Sequence, residues 1–185
     1  VDSLTQIAGT DGTDILWIID TSCSMADDAS NLLAGIDAMI NSLPPTGWRL
    51  NMLSADPKGY DDEQFPLVPG DTIVEAEAMY NKMYRGPYEK GFEALQKYME
   101  DSLYAKTWMR PGAALLVVFV SDEDDQSTDV FYNVSDFIDW LNYGRNGIFM
   151  SSIVNLEPAQ SLCNTSVLEE GARYSEVTAY YGGVI

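Results

Sequence analysis

Ile15-Leu16-Trp17-Ile18-Ile19-Asp20-Thr21-Ser22-Cys23-Ser24-Met25 is the stretch that decides the reading of this chain. Its unbroken apolar start predicts a strand buried on both faces, and the turn-forming Gly9-Thr10-Asp11-Gly12-Thr13 precedes it. At Asp20 the chemistry changes to hydroxyl-bearing and small residues. Beyond them Leu32, Leu33, Ile36, Met39, Ile40 and Leu43 recur at helical spacing, so a helix is expected over 27–43, stopped by Pro44-Pro45. A strand that hands a polar loop to a helix is the building unit of α/β proteins.

The pattern repeats along the chain. A second strand is expected over 48–54, then a Pro-, Gly- and Asp-rich surface loop over 55–71 with at most a short edge strand. Helices are expected over 73–84 and 88–104, separated by Arg85-Gly86-Pro87. Residues 113–120 are the most apolar run and the expected central strand; they end at Ser121-Asp122-Glu123-Asp124-Asp125. A helix over 129–142, a strand over 148–154 and a helix over 166–181 follow, and Gly182-Gly183 leads into a strand beginning at Val184. The expected fold is α/β and Rossmann-like: a doubly wound, mainly parallel central sheet flanked by helices. It forms one domain over 1–185, cut from a longer chain with its last strand incomplete. Sites in such sheets lie at the carboxyl ends of the strands. Both acidic loops sit at such ends.

Composition narrows the functions. The 185 residues, 46% of them hydrophobic, suit one core. Twenty-nine acidic residues against 10 basic ones give a net charge of -19, which repels nucleic acid and anionic lipid and favours cations or basic protein surfaces as partners. No apolar run approaches the roughly 18 residues needed for a span, so direct membrane insertion is not expected. The chain has no His, which removes the commonest general base and the commonest zinc ligand together. Cys23 and Cys163 are too few for a disulfide scaffold and read as small buried or half-buried thiols. Without a His partner, Cys23 is no nucleophile.

Asp20, Ser22, Ser24 and Asp122 are all oxygen donors expected on one edge of the sheet. Hard cations such as magnesium, manganese and calcium prefer them. Alternate residues of a tight turn, as in Asp20-x-Ser22-x-Ser24, can aim at one point. The plainer alternative is a polar turn that caps the next helix. Glu123, Asp124 and Asp125 read as a solvated, negative rim.

These residues resemble the von Willebrand factor A domains. Residues 15–25 look like that family's first strand and Asp-x-Ser-x-Ser loop, and the run from Leu115 to Asp122 is similar to its central strand with the metal-site Asp. Tyr174-Ser175-Glu176-Val177-Thr178 with Gly182-Gly183 resembles its last helix and turn. The order of elements matches over almost the whole chain. The resemblance implies a metal-ion-dependent adhesion site with one divalent cation, Mg2+ first and Mn2+ or Ca2+ as alternatives. It further implies a protein ligand whose acidic side chain completes the metal shell, no catalysis, and an extracellular or cell-surface setting. One segment departs from the pattern. Where the family offers a Thr, this chain has Arg85-Gly86-Pro87-Tyr88-Glu89-Lys90-Gly91-Phe92, so either Glu89 substitutes as ligand or a water fills the position.

Two other readings compete. A structural component of a secreted assembly or virus particle would keep the fold with a vestigial site. A phosphotransferase with an aspartyl nucleophile would need a second Asp two residues after Asp20, where Ser22 stands.

Overall fold

The computed structural model describes residues 11–62, 64–145, 147–156 and 169–185. Its strands are β1 (Thr13–Ile19), β2 (Trp48–Ser54), β3 (Ala114–Ser121) and β4 (Ile148–Val154), in the order β2-β1-β3-β4 and all parallel. The helices are α1 (Ala29–Ser42), α2 (Ile73–Lys82), α3 (Gly91–Asp101), α4 (Leu103–Trp108), α5 (Val134–Gly144) and α6 (Ala172–Tyr180). This is the expected Rossmann-like α/β architecture. Leu67 exchanges both backbone hydrogen bonds with Leu50, which among the described residues is all the edge pairing that the 55–71 loop supplies. Val184 bridges Ser151 in parallel.

Because side chains alternate along a strand, β1 feeds two cores. Ile15, Trp17 and Ile19 pack with Leu32, Ile36 and Ile40 of α1 and with Ala76, Met79 and Tyr80 of α2. Leu16 and Ile18 face Phe92, Leu95 and Tyr98 of α3, Phe137 of α5 and Tyr174 of α6. An unbroken apolar strand is therefore what a doubly covered sheet needs. Helices of both layers leave the sheet from the interior neighbours β1 and β3, so the chain direction reverses between them. The crevice at their carboxyl ends is the switch point where such folds place ligands.

Several boundaries differ from the sequence expectation, each for a local reason. The 27–43 helix is preceded by a 3-10 turn, Cys23–Asp27, and α1 proper begins at Ala29. The 88–104 helix starts only at Gly91 and breaks at Ser102, whose hydroxyl accepts from the Tyr104 and Ala105 amides and caps α4. The 129–142 helix begins at Val134, where the Asp136 carboxylate accepts the Asn133 amide at 2.8 Å. Cys23 is exposed rather than buried. Cys163 and residues 166–168 lie outside the described residues, and the helix expected over 166–181 begins only at Ala172, after the non-helical 169–171.

Candidate cation site

Asp20 directly follows β1 and is fully buried. Its Oδ1 accepts the Ser22 amide at 2.8 Å and its Oδ2 accepts the Ser121 hydroxyl at 2.9 Å, so the last residue of β3 fixes the carboxylate that follows β1. Met25, 7% exposed, plugs the turn into the core beside Trp17 and Val120. The turn therefore presents its hydroxyls at a fixed place. Ser22 and Ser24 share a hydrogen bond of 2.8 Å, and Ser24 donates to Asp122 Oδ1 at 3.1 Å. Asn155, after β4, donates to the Asp122 carbonyl. Asp20, Ser22, Ser24 and Asp122 thus come together through a continuous set of contacts.

Neither serine acts as a helix cap. Ser22 makes no side-chain cap to the 3-10 turn, and α1 begins after Asp28 without a side-chain cap of its own. The hydroxyls are turned to each other and to Asp122.

Glu89 enters from the loop before α3 and is 5% exposed. Thr21 docks that loop onto the first: its hydroxyl contacts Ser54 Oγ at 2.9 Å, donates to the Tyr84 carbonyl and accepts the Gly86 amide at 3.3 Å. A Cβ on Gly86 would stand 2.0 Å from Asp56 Oδ2, so only glycine lets the backbone pass there. From the other side Gln126 clamps Glu89. Its amide donates to the Glu89 carbonyl at 2.7 Å, and its Nε2 donates to Glu89 Oε2 at 2.9 Å and to Glu123 Oε2 at 3.4 Å.

The electrostatics follow from this crowding. Burial, then the charges of Glu123, Asp20 and Asp122, push the Glu89 carboxyl up to about 7. Burial raises Asp122 against the opposing Ser24 hydrogen bond, with the charge of Asp20 adding to the rise. Glu123 is raised by burial and by the charges of Asp122 and Asp20. Two other buried acids are ion-paired, Asp14 with Arg110 at 2.7 Å and Asp125 with Arg173 at 3.1 Å, whereas buried Asp56 accepts the Lys58 amide on Oδ1 and has no hydrogen-bond partner on Oδ2 among the described residues. Among the described residues, none of Asp20, Glu89 and Asp122 forms an ion pair with Lys or Arg. Buried carboxylates are ordinarily paired with a cation or held by a metal.

The donor set suits a hard cation in kind: carboxylates and hydroxyls, with no sulfur or imidazole. The described residues hold no group of three or more Asp, Glu or Cys side chains arranged to bind a metal ion, so any ligand set here is a mixed one that relies on the serine hydroxyls.

The expectation of a solvated rim fails for Asp125. It is 3% exposed and accepts the Phe92 amide, the Ser127 hydroxyl and Arg173 Nε. Asp124 accepts the Arg173 amide. Sequence reasoning also missed Thr21, Ser121 and Gln126. Only Thr21 and Ser121 carried a signal, as hydroxyl residues flanking the two expected ligand positions.

No protein-family model matches the sequence, and no curated protein matches it. Among solved structures the chain is similar to proximal thread matrix protein 1 from the mussel byssus, with a TM-score of 0.54 and 10% identity over 93% of this chain and 46% of that one. That likeness is one of fold. The chain spans about half the length of that protein.

Proposed function

We propose that this chain is a divalent-cation-dependent protein-binding module of the von Willebrand factor A type. Asp20, Ser22, Ser24 and Asp122 would hold the ion, and Glu89 would stand in for the family's Thr. The observation that carries the reading is that the buried carboxylates of Asp20, Asp122 and Glu89 have no basic partner among the described residues, while the Ser22 and Ser24 hydroxyls cap nothing and turn to each other and to Asp122. Mg2+ suits the set best, because it binds through oxygen and keeps several waters, which leaves positions for an incoming ligand. A bound ion would take an acidic side chain of a protein partner into its shell. With no His in the chain and no base beside Cys23, the reading is one of binding rather than catalysis.

An extracellular or cell-surface setting belongs to the same proposal. Its support is the family resemblance, together with a fold shared with a byssus matrix protein. No described helix is long and apolar enough to cross a membrane. The byssus likeness also favours a second reading, a structural part of a secreted assembly in which the site is vestigial.

Titration of chelator-treated protein with Mg2+, Mn2+ and Ca2+ separates the two. The module reading expects a rise in melting temperature, worth about 2.7 kcal/mol at a hundredfold excess over Kd. Asp20→Ala should abolish it. No shift with any of the three ions up to millimolar concentration would leave the vestigial reading.

A further inference from the structure

Residues 125–127 act as a three-point clamp between the β3 loop and the start of α3, and their targets differ. Asp125 and Ser127 accept the Phe92 and Glu93 backbone amides, both at 3.0 Å, and so serve the helix. Gln126 lies between them, exposed, and holds Glu89 by both backbone and side chain, with a longer contact of 3.4 Å from Nε2 to Glu123 Oε2. Glu89 sits where Glu123, Asp20 and Asp122 all repel its charge, and a carboxylate in that company gains by swinging toward water. A Lys or Arg at position 126 would hold it in place but would supply the counter-charge itself. A glutamine amide donates to one oxygen and leaves the negative charge uncompensated.

We infer that Gln126 is a positioning residue, which holds the Glu89 side chain in the Asp20–Asp122 crevice by Oε2 and leaves Oε1 to a bound divalent cation. The inference rests on the cation reading above. It makes the amide at position 126, rather than the family's Thr, the feature that completes the altered second loop.

The test is a double-mutant cycle read by calorimetric titration of Mn2+ and Mg2+ into chelator-treated protein. The forms are wild type, Gln126→Leu, Glu89→Gln and the double variant, with Asp20→Ala as the site control. Gln126→Leu should weaken binding about tenfold or more, the usual effect of losing a partner that orients a ligand. In the Glu89→Gln background the same change should do nothing. Because Gln126 is exposed, its loss should leave the cation-free melting temperature near that of wild type. If Glu89→Gln alone abolishes binding, weakened affinity of Gln126→Leu at unchanged cation-free stability supports the inference, and a drop in both overturns it. Wild-type affinity in Gln126→Leu, or an equal loss with and without Glu89, also overturns it while the cation reading stands on Asp20→Ala. If wild type binds neither ion up to about 10 mM, the reading and the inference fall together.

Discussion

Glu89 concentrates the physics of the site at the residue scale. In the folded, cation-free chain its carboxyl keeps a proton up to about 7, against an ordinary value of 4.5. Between those values the folded state binds more protons than the unfolded one, so this group's contribution to stability falls as pH rises through the window and is fully present below it. Asp122 and Glu123, also raised, act with the same sign. Cation-free protein is therefore expected to melt higher at about pH 5.5 than at about pH 7.5, and Glu89→Gln should remove part of that difference. A melting temperature that is flat or rising with pH would contradict the placement of Glu89. Cation affinity should run the other way, strengthening as pH rises through about 7 as the competing proton leaves. Glu89 was readable in the sequence only as the nearest oxygen donor in a loop lacking Thr or Ser. What makes it distinctive is the company of three other carboxylates, brought from two distant loops.

At the scale of elements, α3 shows how the fold solves a local deficit with distant residues. Its N-terminal position, Lys90, offers no side-chain cap, so the first amides of the helix need partners from elsewhere. Asp125 and Ser127 provide them from the loop after β3, and Arg173 of α6 neutralises Asp125. Ser127→Ala should cost about 1 kcal/mol, the usual worth of a cap. Asp125→Ala should cost about 3 kcal/mol, because it also strands a half-buried arginine. Urea unfolding measures both. A loss at Asp125 no larger than a surface change, within about 0.5 kcal/mol, would mean that the clamp is dispensable. The four strands and the cores of the helices other than α4 were legible from apolar runs and periodicity. The start of α3 was not, since the apolar spacing of Phe92, Leu95 and Tyr98 runs on smoothly while the cap that sets the boundary lies more than thirty positions away.

The whole molecule carries a net charge of -19, and its self-repulsion opposes compactness. Raising monovalent salt from about 20 mM to about 500 mM should stabilise the cation-free protein by screening, in wild type and Asp20→Ala alike. Millimolar divalent cation should add a further rise in wild type only. Equal divalent responses in both would reduce the cation effect to general screening of an acidic surface.

The sequence by itself determined the secondary structure of the sheet, its parallel character and the pair of polar loops at strand ends. These follow from short-range facts: unbroken apolar runs demand cover on both faces, and a polar residue ending such a run marks where the strand leaves the core. Only the tertiary structure decided that β1 and β3 are neighbours at the point where the winding reverses, so that Ser121 fixes Asp20 and Ser24 reaches Asp122. It also decided which acids of the Asp122 loop are solvated and which are structural. Asp122 and Asp125 look alike in sequence, but one lies in a crevice without a basic partner and the other beneath α6 against Arg173. The energy of a carboxylate depends on the charges and dipoles within a few ångströms, and most of those come from residues far away along the chain.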